Sequence, residues 1–123
     1  VTPWMNEPVG GALPIAMGVK LARPDRPVLC NGGDMGAMCN IGELETAVRE
    51  NIPVVYVVFN DEGLGNERAF QNEHFGGRYF AVDYKNPDFG ALAKVFGAHG
   101  ERVTRPQELE GAIKRAFASG KPA

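Results

Sequence analysis

Two acidic residues, Asp34 and Asp61, stand 27 positions apart (61 − 34) in a setting suited to oxygen chemistry. Each follows an apolar stretch by only a few residues. Small residues surround the first, in Gly32-Gly33-Asp34-Met35-Gly36. The second lies in Asn60-Asp61-Glu62-Gly63. Where parallel strands end side by side, such residues converge just beyond the carboxyl ends, the usual ligand position in open α/β sheets. Two converging carboxylates without a basic partner repel each other unless a cation lies between them. A few hard oxygen ligands suit Mg²⁺, which keeps waters and shares phosphate oxygens. Gly32, Gly33 and Gly36 allow backbone N–H groups to approach those oxygens. The spacing therefore points to a Mg²⁺-bound phosphate group. The plain alternative, a turn aspartate and a capping aspartate, stays open on the residues alone.

The elements that must position these residues alternate along the chain. Residues 12–22 read as a helix, apolar on almost every face and so expected to be buried, with Pro14 in its first turn. Residues 23–27 are a surface turn. Residues 28–30 form a short apolar strand, running through Asn31 into the glycine loop. Asn40 with Glu43 resembles a capping box for a helix burying Ile41, Leu44 and Val48, with Glu45 and Arg49 paired on its outer side. Residues 54–59 are the strongest strand, too continuously apolar for an edge. A short helix over 64–72 carries Arg68 and Gln71, and 73–84 reads as a loop over the site. Asn86-Pro87 opens a helix burying Phe89, Leu92, Ala93 and Phe96 and stopped by Gly97. Residues 100–103 are read as a strand. Thr104 and Gln107 form a second capping box, for a last helix lined by Leu109, Ile113, Ala116 and Phe117. Alternating helices and strands predict an α/β fold: a doubly wound, mostly parallel sheet with helices on both faces.

Composition narrows the function classes. The 123 residues are 44% hydrophobic and 23% charged, with a net charge of −2. That suits one domain with a single core. No basic run suggests nucleic acid, and no apolar stretch approaches the ~20 residues of a membrane span. Cys30 and Cys39 are read as buried reduced thiols, which places the protein in the cytoplasm. The opening at Val1-Thr2-Pro3-Trp4 and the close at Gly120-Lys121-Pro122-Ala123 suggest that residues 1–123 are a single domain within a longer multidomain enzyme.

The stretch Gly33-Asp34-Met35-Gly36, Asn40, Glu43-Leu44, Thr46-Ala47 and Asn60-Asp61 resembles the thiamine diphosphate motif. The resemblance runs upstream to Gly10-Gly11-Ala12-Leu13-Pro14 and downstream through Leu64-Gly65, Arg68, Gln71 and Asn86-Pro87-Asp88-Phe89. It covers essentially the whole chain. The chain is similar to the C-terminal, diphosphate-binding domain of thiamine diphosphate-dependent enzymes, with acetolactate synthase-like members nearest.

By that resemblance, Asp34, Asp61 and the Gly63 carbonyl hold Mg²⁺, and Met35 and Gly36 offer backbone N–H groups to the diphosphate. Gly10, Gly33 and Leu64 line the cofactor. Val9 lies beneath its two rings and keeps them bent. The implied reaction is decarboxylation of a 2-oxo acid, with ligation of the product to a second carbonyl. The chain itself contributes no catalytic residue: an activating glutamate is expected on a pyrimidine-binding domain of the same or another chain. The isolated chain is then inactive, and a homo-oligomer, dimer or tetramer, is expected. Met35 stands where the family has glycine, Gly36 where serine is frequent, and Val9 is smaller than usual. These departures bear on cofactor affinity. They define an alternative, a degenerate cofactor-fold module acting in subunit association, for which Met35→Gly would raise affinity sharply. A third reading is an unrelated doubly wound domain that binds another phosphorylated ligand.

Overall fold

A computed structural model describes residues 9–123. Readings that fall on residues 1–8, such as the opening at Val1-Thr2-Pro3-Trp4, lie outside them. In chain order the elements are α1 (Ala12–Ala22), β1 (Leu29–Gly33), α2 (Asp34–Cys39), α3 (Glu43–Arg49), β2 (Val55–Phe59), α4 (Gly65–His74), α5 (Phe89–Val95), a 3₁₀ turn (Pro106–Glu108) and α6 (Leu109–Ala118). β1 and β2 pair in parallel, from Leu29 opposite Val55 to Gly33 opposite Phe59. This is the α/β arrangement that the alternating pattern predicts. The register decides the function: both strands end at the same level, so Asp34 and Asn60 emerge side by side.

The core follows from the apolar pattern. Leu13, Ala16 and Met17 of α1 pack with Leu44 and Ala47 of α3, with Val28, Ile52, Val54, Ala93 and Ala98 completing the cluster. Cys30 and Tyr56, opposite each other in the ladder, lean on the same cluster. Val55 is buried but outside it, as a strand's alternation requires, and α6 packs on β2. Between β2 and α6 lies a mainly apolar cavity of about 670 Å³, with walls that include Val57, Leu109 and Ile113. Among the described residues, no helix is long and apolar enough to cross a membrane.

Several local expectations hold. Arg49 pairs with Glu45 at 3.1 Å, residues 23–27 are an exposed turn, and Gly97 ends α5 with φ +88°. Others are corrected. The glycine loop after β1 is a short helix: extended Gly33 turns the chain, and Asp34 is the first helical residue. Asn40 does not cap α3. Its side-chain Nδ2 donates to the Gly10 carbonyl at 3.0 Å, and α3 starts after Gly42 with no side-chain cap. Asp88 is the true cap of α5, accepting from Ala91 N–H at 2.9 Å. The Thr104–Gln107 box does not form either. The 3₁₀ turn precedes α6 without a side-chain cap, and Arg105 pairs with Glu108 instead.

Residues 100–103 form no strand. Gly100 packs against Gly90 of α5, and of this region His99 N–H reaches Pro122 O, at 2.8 Å. The β2 groups on that side are taken by Ala123, whose N–H donates to Val54 O and whose carbonyl accepts from Tyr56 N–H. Helix α1 buries one face only, since Leu21 is exposed, and Phe117 of α6 is exposed as well.

The two thiols differ. Cys39 is exposed and Cys30 only half-buried, against the expectation of two buried thiols. Burial pushes the Cys30 thiol up from 9.0 to about 11. Its thiolate fraction at pH 8 is then about a hundredfold smaller than that of a free thiol, since each pKa unit is tenfold. An alkylating reagent at pH 8 should label Cys39 first and Cys30 at least about a hundredfold more slowly, as peptide mass mapping over time would read. Equal rates would mean that β1 opens readily.

Candidate cofactor site

The side chain that organises the strand ends is Asp34. It is 2% exposed, yet among the described residues it forms no ion pair. Four donors hold it. Its Oδ1 accepts from Met35 N–H at 2.7 Å and from the Tyr84 hydroxyl at 2.9 Å. Its Oδ2 accepts from Glu62 N–H at 2.8 Å and from Asn86 Nδ2 at 2.6 Å. A buried carboxylate needs such partners, because an unpaired one is strongly disfavoured away from water. Asp34 thereby ties together the end of β1, the loop after β2 and the segment before α5.

The loop after β2 is shaped for this. Glu62 has φ +56°, a backbone state uncommon for a side-chain-bearing residue, and it aims the Glu62 N–H at Asp34. Asn60 Oδ1 accepts from Asn86 Nδ2 at 2.8 Å. Residues 82–84 then run antiparallel to 62–64: Leu64 N–H donates to Val82 O, and Tyr84 N–H donates to Glu62 O. This ribbon carries the Tyr84 hydroxyl to 3.2 Å from the Gly63 carbonyl as well. Burial, the Asp34 hydrogen bond and the charges of Asp34 and Asp61 push the Tyr84 phenol up to about 12, so it stays a donor at neutral pH.

A cavity of about 530 Å³ opens at these strand ends. Val9, Gly33, Asp34, Met35, Gly36, Asp61, Gly63 and Leu64 all line it. Of the residues proposed from sequence, Gly10 alone lies behind its wall. Gly10 is buried with φ +91°, and a Cβ there would fall 2.6 Å from Asn40 Nδ2 and 2.8 Å from Cys39 Cβ. Only glycine lets the chain pass so close to the end of α2, and that passage presents Val9, 67% exposed, to the cavity. At Gly36 a Cβ would meet only Gly10 N, at 3.6 Å, so the small residue there leaves room rather than relieving a clash.

The donor set fits a hard divalent cation. Asp34 and Asp61 supply anionic oxygens, and Gly63 supplies a carbonyl. Among the described residues, no three His, Cys, Asp or Glu side chains converge to hold a metal alone. A cation here must complete its shell from the backbone, from water or from a ligand's phosphate, which is the habit of Mg²⁺.

The comparisons settle the family. The model for the thiamine pyrophosphate enzyme C-terminal TPP-binding domain matches residues 1–123. The chain belongs to that family. Among similar proteins are a probable acetolactate synthase large subunit of Methanococcus aeolicus, 38% identical over 93% of this chain and 19% of its own, and a sulfoacetaldehyde acetyltransferase of Alcaligenes xylosoxydans xylosoxydans, 36% identical over 88% of this chain and 18% of its own. The solved structure of a thiamine diphosphate-dependent 4-hydroxybenzoylformate decarboxylase from Rhodococcus jostii RHA1 superposes with a TM-score of 0.85 at 34% identity, covering 93% of this chain and 22% of that one. The chain spans about a fifth of the length of the curated relatives it matches.

Tyr84, Asn86 and the Glu62 backbone hold Asp34, and no local pattern in the sequence points to them. Asn86 was read as a helix cap because it precedes Pro87, and no spacing rule links it to Asp34. Arg68 and Gln71 serve the chain itself. Arg68 pairs with Asp83 and lies 4.4 Å from the Tyr79 ring centre, and Gln71 clamps the Phe80 backbone through both amide atoms. His74 ends α4 and packs against Phe70. His99 is partly buried, and its Nε2, 3.9 Å from Glu101 Oε2, makes no hydrogen bond among the described residues.

Proposed function

We propose that residues 1–123 are one domain of a longer, multidomain cytoplasmic enzyme. The domain holds the Mg²⁺-diphosphate end of thiamine diphosphate for an acetolactate synthase-like reaction. The substrate is a 2-oxo acid, which loses CO₂, and its remainder is ligated to a second carbonyl. The observation that carries this reading is the buried Asp34 carboxylate, held by four donors at the rim of a glycine-lined cavity that also receives Asp61 and Gly63.

When bound, thiamine diphosphate supplies the electron sink that lets a 2-oxo acid lose CO₂. The chain's own residues bind and orient. Asp34, Asp61 and the Gly63 carbonyl hold the cation. The backbone N–H groups of Met35 and Gly36 would be offered to the diphosphate, the Met35 N–H in competition with Asp34 Oδ1, to which it donates at 2.7 Å. Val9 would support the rings, Gly33 and Leu64 line the walls, and Gly10 lies behind them. The activating glutamate comes from a pyrimidine-binding domain, on the same or another chain of a dimer or tetramer, so residues 1–123 alone are inactive. The relatives' names favour this catalytic reading over a degenerate module.

Calorimetric titration of thiamine diphosphate into the full-length protein, with Mg²⁺ and with a chelator, tests it. Saturable binding that the chelator removes is the expected result. A folded protein that ignores thiamine diphosphate in Mg²⁺ would overturn the reading and favour the module. Binding of nucleotides in its place would favour a different phosphorylated ligand.

A further inference from the structure

One side chain at the rim has two acceptors and one proton. The Tyr84 hydroxyl lies 2.9 Å from Asp34 Oδ1 and 3.2 Å from the Gly63 carbonyl oxygen. It can donate fully to only one of them. The Asp34 carboxylate and the Gly63 carbonyl are both assigned to the cation in the reading above, on which this inference rests. The ribbon that pairs residues 82–84 with 62–64 fixes the hydroxyl there through Leu64 N–H to Val82 O and Tyr84 N–H to Glu62 O. The residue is half-buried, so the hydroxyl is not a casual surface contact.

We propose that Tyr84 is a placeholder for the cation: its hydroxyl bridges Asp34 and Gly63 until the cation takes both oxygens, and then turns away from that space. A Mg²⁺ held by Asp34 and Gly63 would repel an O–H proton aimed at the same oxygens. The hydroxyl would then give up its donor role there. In the absence of the cation, the tyrosine keeps two acceptors from facing each other without a donor, which preserves the shape of the strand ends. The same contact competes with the cation and weakens its binding.

The test is Tyr84→Phe in the full-length protein. Mg²⁺ is titrated at saturating thiamine diphosphate and followed by calorimetry. A hydrogen bond to a charged acceptor no longer has to be broken, so the Mg²⁺ dissociation constant should fall about tenfold. An unchanged or higher constant in Tyr84→Phe, with wild type binding, overturns the placeholder and leaves the cofactor reading standing. Binding by Tyr84→Phe but not by wild type supports the placeholder strongly. Binding by neither overturns both. Should the variant fail to fold, a crystal structure of the wild-type protein loaded with Mg²⁺ and thiamine diphosphate decides the matter. The expected result is a Tyr84 hydroxyl no longer within hydrogen-bond distance of both Asp34 Oδ1 and Gly63 O. A hydroxyl still bonded to both overturns the proposal.

Discussion

Asp61→Ala removes cation-dependent cofactor binding and leaves the fold intact, whereas Asp34→Ala loses both. The difference follows from burial. Asp61 is exposed at the cavity rim, so its removal strands no group beyond the reach of water. What disappears is one of two anionic oxygens available to the cation, and affinity for thiamine diphosphate in Mg²⁺ should fall at least about a hundredfold. The melting temperature should stay within a degree or two of wild type, as for other surface substitutions.

Asp34→Ala strands donors from three parts of the chain: Met35 N–H and the Tyr84 hydroxyl on one side, Glu62 N–H and Asn86 Nδ2 on the other. Met35 N–H loses its only acceptor and Asn86 Nδ2 one of two, while the Tyr84 hydroxyl falls back on the Gly63 carbonyl and Glu62 N–H on Asn60 Oδ1, so the loss should reach about 2–3 kcal/mol. Asp34→Asn does not rescue it, because an amide brings two donors to a place already crowded with them. Calorimetric titration and thermal melting of the same three variants separate the roles. An Asp34→Ala protein that melts like wild type would mean that the four hydrogen bonds carry no structural weight. An Asp61→Ala protein that binds normally would remove Asp61 from the ligand set.

What could be read from the sequence was whatever repeats at short range. The apolar run through Val57, the glycines around Asp34 and the helical spacing of Phe89, Leu92 and Ala93 are all local patterns. The parallel register then carried Asp34 and Asp61 to one cavity, because strands of matched length end together. The donors that hold Asp34 were not legible. Tyr84 lies 50 positions away and Asn86 lies 52. Each has a sufficient local explanation, one as a loop aromatic and the other as a cap before proline. Asn40 shows the same limit from the other side. Its spacing to Glu43 fits a capping box, but its amide is drawn to the Gly10 carbonyl, 30 positions back, because the chain crosses α2 there. Local hydrogen-bond patterns are weak priors wherever a long-range partner competes for the same side chain.

Gly100→Ala should destabilise the protein and weaken cofactor binding together, although Gly100 touches neither the cation nor the cofactor. A Cβ at Gly100 would fall 2.0 Å from the Gly90 carbonyl oxygen and 2.9 Å from Ala93 Cβ. The obstacle is backbone, so no side chain can swing aside. The first turn of α5 must move, or residues 99–102 must. Overpacking of this kind costs about 2–3 kcal/mol, or about 10 °C in melting temperature for a domain of this size. The effect reaches the site because the start of α5 also anchors Asn86. Asp88 caps the helix, and Asn86, two residues earlier, donates to Asp34 at 2.6 Å. Displacing the first turn stretches that bond and loosens the carboxylate. Gly18→Ala is the control, since a Cβ there meets nothing within 4 Å and sits within α1. It should be neutral or stabilising by about 0.5–1 kcal/mol. Melting curves and thiamine diphosphate titrations of both variants check this. If Gly100→Ala lowered stability but left affinity unchanged, α5 and the site would be mechanically independent, and Asn86 would be held by Asn60 and Asp34 alone.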